Sequence, residues 1–229
     1  NVCPSGMAVD SSGKLWTIDK LTGETYFGLY NISGAGGGSD VRTLYYLFTT
    51  LPMSYDSISP VWRCMSIYGN NLYVLYPNSV LYTNHQIIKF TDITGTAAMS
   101  IIDTGFPIST NTIVDMVVVS DTEIYFTIVV SSHRFVYKLS YGTTWTSSLV
   151  VDSHHYSDMS LTVYATRCEK SLVQDGYGNY ALTNVLVGAT DTIYFYDSSW
   201  TELSTTSISG CAPTTGLSLY LDGDITLGS

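Results

Sequence analysis

Three features of the sequence predict an all-β fold and, within that class, a β-propeller. The chain of 229 residues carries 29 Ser, 29 Thr and 19 Tyr, and Thr and Tyr favour strands. Pairs of strand-like runs recur along the chain at intervals of roughly 50 residues, a spacing typical of repeat architectures. No stretch keeps a period of 3.6 residues, so no long helix is expected.

The recurring pair consists of two apolar runs joined by a short polar turn. We expect five such pairs, at residues 7–19, 65–76, 115–127, 171–182 and 217–227. Two further strand-like runs follow each of the first four pairs, at 25–30 and 43–48, 87–90 and 98–102, 135–139 and 148–151, and 192–196 and 202–205. Four strands joined by short turns form one blade of a β-propeller. The first two strands are the most apolar, as expected if they lie between neighbouring blades.

These repeats predict four full four-stranded blades and a partial fifth, which together form one domain over residues 1–229. A chain of this length can bury a sizeable core without metals or crosslinks. The alternative all-β architecture is a β-sandwich. A sandwich gives no reason for one hairpin to recur at a nearly constant interval, so the propeller is the preferred prediction.

The first hairpin, residues 7–16, has the sequence MAVDSSGKLW. We expect Asp10 to accept backbone N–H groups in its turn and Gly13 to take the position that needs a positive φ. This hairpin resembles that of the NHL, SMP-30 and YWTD group of β-propellers, and the resemblance is partial at 174–182. It implies a fold and not an activity, because this architecture hosts unrelated functions.

The balance of charge argues against several classes of partner. Nine Lys and Arg against nineteen Asp and Glu give a formal net charge of −10. The chain has no basic stripe for phosphate groups, and we expect no nucleic acid partner. Attraction to anionic lipid is disfavoured for the same reason. No apolar run of about 18 residues exists, so we expect no insertion into a membrane as a helix.

The cysteines predict an oxidising compartment. Cys3, Cys64, Cys168 and Cys211 form no CxxC pair, and an even number at wide spacing fits two disulfides. Two pairings stay open. Closure of a ring of blades favours Cys3–Cys211 with Cys64–Cys168, whereas short distances between neighbouring repeats favour Cys3–Cys64 with Cys168–Cys211. The second pairing is slightly preferred.

Two further features point to secretion. The sequence begins at Asn1 and not at Met, which fits a mature protein whose signal peptide has been removed. Asn31 opens an Asn-Ile-Ser sequon and precedes the glycine-rich run 34–39. We therefore expect a secreted glycoprotein with a glycan on Asn31.

Metal-ligating residues are sparse in the sequence. His155 and Asp158 could share an ion within a loop, and Asp222 and Asp224 could contact calcium through their carboxylates. Neither pair has a third ligand nearby, and a loop histidine or a hairpin turn accounts for them equally well. We predict no cofactor, with calcium as the weak exception.

The function predicted from the sequence is that of a secreted recognition or assembly module without catalytic activity, because no nucleophile, base and orienting group can be named together. Its partner would be a protein or a glycan, or further copies of itself in an extracellular surface structure or filament. Trp62 and Trp200 lie in predicted loops and are the candidate contact residues. The alternative is a metal-dependent propeller hydrolase or lactonase.

Overall fold

The computed structural model describes twelve segments of the chain. They are residues 6–19, 28–33, 41–47, 64–76, 83–95, 98–109, 112–130, 133–152, 172–184, 191–208, 216–219 and 225–228. All regular secondary structure in these segments is β-strand, in 18 strands. The prediction of an all-β fold is confirmed.

The chain divides into two compact units, residues 1–109 and 110–229. The first unit contains two four-stranded antiparallel sheets, and the second contains two more and a two-stranded sheet. Four full blades and a partial fifth, as predicted from the repeats, are therefore the sheets observed. The single domain spanning both units stays a prediction.

In the first unit, each sheet is an up-and-down meander whose strands lie side by side in chain order. The first sheet consists of β1 (Gly6–Val9), β2 (Leu15–Asp19), β3 (Gly28–Ser33) and β4 (Val41–Leu47). The second consists of β5 (Met65–Tyr68), β6 (Asn71–Tyr76), β7 (Asn84–Thr91) and β8 (Ala98–Pro107).

The second unit repeats this arrangement. Its first sheet consists of β9 (Thr112–Ser120), β10 (Glu123–Val130), β11 (His133–Tyr141) and β12 (Trp145–Val151). Its second consists of β13 (Leu172–Gln174), β14 (Tyr180–Asn184), β15 (Asp191–Tyr196) and β16 (Glu202–Ile208). The two-stranded sheet pairs β17 (Gly216–Leu219) with β18 (Ile225–Gly228).

Burial falls from the inner to the outer strands of a sheet. In β6, Leu72–Tyr76 are all buried, which leaves no polar face and explains the unbroken apolar run. By contrast, residues 98–101 of β8 and 146–149 of β12 are exposed on both faces of their strands. Both faces of β6 are therefore covered, whereas these residues of the outer strands face water.

Neighbouring sheets contact one another through their inner strands. In the first unit β1 lies beside β5, and in the second β13 lies beside both β9 and β17. Asp115 of β9 is 2% exposed, and its Oδ2 accepts the backbone N–H of Leu172 in β13 at 2.9 Å. This bond fixes one inner strand against the next, as between neighbouring blades of a propeller.

Aromatic and branched aliphatic side chains fill the space between sheets. In the first unit the buried cluster joins both sheets and consists of Trp16, Ile18, Leu29, Met65, Leu72, Val74, Tyr76, Ile88, Phe90 and Ile93. In the second unit the corresponding cluster consists of Tyr125, Val136, Val151, Leu172, Tyr180, Leu182 and Tyr196. Each cluster draws residues from two successive sheets, so packing between blades forms the core.

The third strand of the first sheet extends further along the chain than the sequence predicted. The predicted run is 25–30, whereas the described residues of β3 are Gly28–Ser33, because pairing with β2 places Leu15 opposite Ile32. Residues 25–27 lie outside the described segments. Asn31 therefore lies inside β3. Cys64 directly precedes β5, where it is buried and its carbonyl accepts the N–H of Leu75.

The meander order places the turns of each sheet at two opposite ends. Connections between first and second strands and between third and fourth strands share one end, which we call the turn end. Its described connections are residues 10–14, 69–70, 92–95, 121–122, 142–144, 175–179 and 197–201. The second strand of each four-stranded sheet ends, and its third strand begins, at the opposite end.

Candidate functional site

A carboxylate organises the first hairpin of the turn end. Asp10 is 7% exposed, and its Oδ1 accepts the backbone N–H groups of Ser12 at 2.9 Å and Lys14 at 3.0 Å, together with the Ser12 hydroxyl at 2.6 Å. Its Oδ2 accepts the indole N–H of Trp16 at 2.9 Å. The predicted role of Asp10 is confirmed, and the same side chain also satisfies a buried tryptophan.

These hydrogen bonds determine the charge state of Asp10. Burial alone would raise the pKa of this carboxyl, but hydrogen bonds from Ser12, Trp16 and Lys14 outweigh burial and hold the pKa below its usual value of 3.8. The carboxylate is therefore ionised throughout the neutral range. Its four acceptor interactions are occupied by groups of its own hairpin, which makes it a turn residue.

Two later turns repeat this arrangement. Asp175 Oδ1 accepts the N–H groups of Tyr177 and Asn179, both at 2.8 Å. Asp197 Oδ1 accepts those of Ser199 and Thr201, also at 2.8 Å. In each turn the carboxylate bridges the residues two and four positions after it, as Asp10 does.

The fourth position of these turns takes the left-handed conformation. Gly13 and Gly178 have φ values of 80° and 88°, and each donates its N–H to the carbonyl of the turn's aspartate. In the third turn Trp200 occupies this position. Its φ is 63°, and its backbone N–H donates to the Asp197 carbonyl. A bulky residue rarely adopts this conformation, so other contacts of Trp200 must compensate.

Those contacts are aromatic and lie between two sheets of the second unit. The Trp200 ring stacks on Tyr180 with a centroid distance of 4.1 Å and an interplanar angle of 17°. It also contacts Tyr125 of the preceding sheet at 5.1 Å and Tyr196 at 5.4 Å. Aromatic pairs at these separations stabilise beyond simple burial. Trp200 is a candidate contact residue from the sequence, but much of its ring surface is in contact with other aromatic rings of the chain.

An ion pair caps this aromatic cluster. Glu123 Oε2 lies 2.5 Å from Lys138 Nζ, and Glu123 Oε1 accepts the Tyr125 hydroxyl at 2.7 Å. Burial tends to raise the pKa of Glu123, but the bonds from Lys138 and Tyr125 lower it overall. Lys138 also lies over the Tyr125 ring, 5.6 Å from its centroid. The three side chains form one network across β10 and β11.

The tyrosine hydroxyls of this cluster are protonated at neutral pH. Burial, followed by the bond to Glu123, raises the pKa of Tyr125 to about 12. Burial and the neighbouring Tyr125 also raise the pKa of Tyr180, whose hydroxyl accepts Gln174 Nε2 at 3.1 Å. The Trp200 indole N–H lies close to the Tyr125 hydroxyl without forming a hydrogen bond of good geometry.

Other aromatic rings at the turn end face water. Tyr177, in the turn that follows β13, is 82% exposed, and Tyr141 at the end of β11 is 48% exposed. Tyr141 pairs across the β11–β12 turn with Trp145, with ring centroids 5.2 Å apart. Exposed rings beside hydroxyl-bearing turns offer contact area with polar rims.

The structure describes only some of the site residues predicted from the sequence. Asn31 is partly exposed within β3, opposite Trp16 and Thr43, and Cys64 and Trp200 are placed as given above. The remaining predicted residues lie outside the described segments; they are Cys3, Trp62, His155, Asp158, Cys168, Cys211, Asp222 and Asp224. Glycosylation, both disulfide pairings and the metal candidates stay predictions.

The described segments contain no group of three or more His, Cys, Asp or Glu side chains arranged to hold a metal ion. No helix long and apolar enough to cross a membrane occurs in them either.

Sequence reasoning found the Asp10 turn but missed the network of Glu123, Tyr125 and Lys138. The signal was present as a short spacing, since Glu123 and Tyr125 lie two residues apart and so share a face of β10. Their partner Lys138 is opposite Tyr125 only because of the β10–β11 register. A search for opposite charges across predicted hairpins could have found it.

Comparison with known proteins supports the fold. No protein-family model and no curated protein matches the chain. Prolyl oligopeptidase B from Galerina marginata, in its apo form, is a similar solved structure, with a TM-score of 0.50 and 10% sequence identity. The match covers 97% of this chain but 30% of that protein, so the chain spans less than a third of its length.

That neighbour is a β-propeller enzyme, and at such low identity the likeness concerns the fold alone. Together with the repeated four-stranded meanders, it defines the class of protein to which the chain belongs, an all-β protein of the propeller type.

Replacement of Asp10 tests the turn carboxylate and its pH dependence. Asp10→Asn retains one acceptor but turns an N–H group towards Trp16 or Ser12, so we expect a loss of about 1–2 kcal/mol at neutral pH. Because the folded-state pKa is lowered, the carboxylate's contribution is present above the unfolded pKa and is lost as the pH falls through the folded pKa.

The difference in Tm between wild type and Asp10→Asn should therefore shrink below about pH 4. Thermal unfolding followed by circular dichroism from pH 3 to 7 measures it. Ser11→Ala, at an exposed position of the same turn, is the control and should change stability by less than about 0.5 kcal/mol. A pH-independent difference for Asp10→Asn would contradict the assignment.

Replacement of Trp200 tests the left-handed turn position. Trp200→Ala and Trp200→Gly both lose the stack on Tyr180, but only alanine keeps the strain of a positive φ. We expect the glycine variant to be the more stable of the two by about 1 kcal/mol. At exposed Ser199, where φ is negative, the order of the same two substitutions should reverse. Chemical denaturation measures the difference in unfolding free energy between the alanine and glycine variants at each position. If the same variant were the more stable at both positions, the argument would be refuted.

Proposed function

We propose that the chain is a secreted recognition or assembly module that binds a protein or a glycan, or further copies of itself. The observation that carries this proposal is the character of the outer strands. Residues 98–101, 146–149 and 202–206 are exposed along their length, and within them only Glu202 is charged. Exposed strands without charge are surfaces on which another chain can pair or pack.

The turn end supports the recognition side of the proposal. Tyr177 exposes its ring in the turn after β13, and the pair of Tyr141 and Trp145 presents aromatic surface on either side of a turn that carries Thr143 and Thr144. Rigid amphipathic rings supply contact area at low entropic cost, which suits protein and sugar ligands alike. In the first of these turns Asp175 accepts the backbone N–H of Tyr177 at 2.8 Å and so holds the residue that carries the exposed ring.

The alternative function is that of a metal-dependent propeller hydrolase or lactonase. It rests on fold resemblance alone, through the likeness of the Asp10 hairpin to the NHL, SMP-30 and YWTD group. The residues that would hold its metal are His155, Asp158, Asp222 and Asp224, with calcium as the ion of closest chemistry.

Substrate turnover separates the two functions. We expect no hydrolysis of a panel of lactones, glycosides and proline-containing peptides, with or without added calcium or zinc. In the same preparation we expect binding of a glycan or a protein, measured on a glycan array and by calorimetry. Turnover abolished by a chelator and restored by one metal ion would replace this proposal with the alternative.

The proposed compartment rests on Asn31 and the four cysteines. Asn31 is partly exposed in β3, and burial of Cys64 at 3% exposure fits a sulfur that is shielded from solvent. Protein isolated from a secretory host should have a mass above that of the bare polypeptide because of a glycan. After enzymatic removal of the glycan, the mass of the protein before reduction should be lower by four hydrogen atoms than its mass after reduction, because of two disulfides.

Asn31→Gln should abolish the added mass and leave the deficit of four hydrogens in place. Peptide mapping then assigns the cysteine pairs. The bare, fully reduced mass in correctly folded material would overturn secretion and leave the binding function to be judged by the turnover experiment.

A further inference from the structure

One outer strand differs from the other three in its charge. The outer strands of the four-stranded sheets are β4, β8, β12 and β16. Three of them carry a charged residue, namely Arg42, Asp103 and Glu202, whereas β12, with the sequence WTSSLVV, carries none. Charged side chains are a common means by which proteins block pairing at a sheet edge. Among the four-stranded sheets, β12 is therefore the outer strand that lacks this block.

The backbone of β12 is regular over five residues. Its register with β11 is continuous from the pair Tyr141–Trp145 to the pair Tyr137–Leu149, and a bulge follows at Val150. In the described chain no strand pairs with its other side. Residues 146–149 are exposed on both faces, so one ladder of backbone N–H and C=O groups is open to a partner strand.

The side chains of this segment are self-complementary. If two copies of β12 pair antiparallel about a two-fold axis at Ser147, Trp145 of one copy lies opposite Leu149 of the partner subunit. The 49% exposed Leu149 would then gain an aromatic neighbour, a cross-strand pairing that stabilises sheets. On the opposite face Thr146 would meet Ser148 of the partner subunit, so hydroxyl would face hydroxyl.

Charge favours the same geometry. Each chain carries a formal net charge of −10, and two copies repel each other wherever acidic surfaces approach. An uncharged strand allows approach without burying an unpaired charge. A two-fold axis through Ser147 also closes the interface, because each copy offers the same strand to the other.

We propose that two copies of this chain associate through β12, which pairs antiparallel with itself about Ser147 and joins two four-stranded sheets into one of eight strands. The proposal rests on the assembly branch of the proposed function and names its surface and partner. Five paired residues on each side bury less area than the roughly 1,200 Å² of a standard stable interface. The association is therefore weak and depends on concentration.

Sedimentation velocity over micromolar to millimolar concentrations tests the association. Wild type should shift reversibly from monomer to dimer. Ser147→Lys places two ammonium groups against each other at the axis and should raise the dissociation constant by about tenfold or more, because like charges directly opposite each other destabilise a strand pair. Ser11→Lys, in the exposed turn before β2, adds the same charge outside the pairing and should leave the dissociation constant unchanged.

Two double variants test the register. Thr146→Glu with Ser148→Lys places opposite charges across the axis twice and leaves the net charge unaltered, so the dimer should persist and weaken with added salt. Thr146→Lys with Ser148→Lys places like charges at the same positions and should abolish it. Circular dichroism confirms that each variant keeps its strand content.

Three outcomes would overturn the proposal. Wild type could stay monomeric at millimolar concentration, Ser147→Lys could associate as well as Ser11→Lys, or the two double variants could behave alike. None of these results bears on glycan binding or on substrate turnover. Failure of the β12 interface is therefore distinguishable from failure of the proposed function.

Discussion

The structure depends on one constraint, which is that no four-stranded sheet of this chain can cover its own inner strands. Strand β6 is apolar and buried without interruption from Leu72 to Tyr76, and a single sheet leaves both faces of such a strand open to water. Sheets must therefore pack against one another, with rings such as Trp16 between those of the first unit and Tyr125 between those of the second. The outer strands need no such cover, and they can be hydroxyl-rich because their exposed residues face water.

Polar groups follow from this packing. Once inner strands lie side by side, any buried backbone N–H at their ends needs an acceptor, and Asp115 provides one for Leu172 across two sheets. At the turn end, Asp10 serves the backbone and a buried indole together. These carboxylates are buried or half-buried and have donors of their own.

Sequence reasoning succeeded where the determining contacts are local. The Asp10 turn was predictable because its donors lie within six residues and Gly13 marks the positive φ. Trp200 occupies the corresponding position although it is not a glycine. One of the contacts that offset the strain of its positive φ comes from Tyr125 in another sheet, so no local sequence pattern predicts it. The end of β3 was missed for a related reason, because pairing with β2 carries the strand past Tyr30, where the aromatic run ends.

The meander order of the sheets has a consequence for how the chain reaches its native state. Every strand pair joins segments that are consecutive in sequence, so each sheet can assemble through short loop closures before it meets a neighbour. Chains whose contacts are local in sequence fold faster than those that must close long loops, and arrays whose units touch only adjacent units show nearest-neighbour cooperativity. Damage to one blade interface should accordingly fray the chain from that interface outwards, while hairpins on the far side keep their hydrogen-exchange protection.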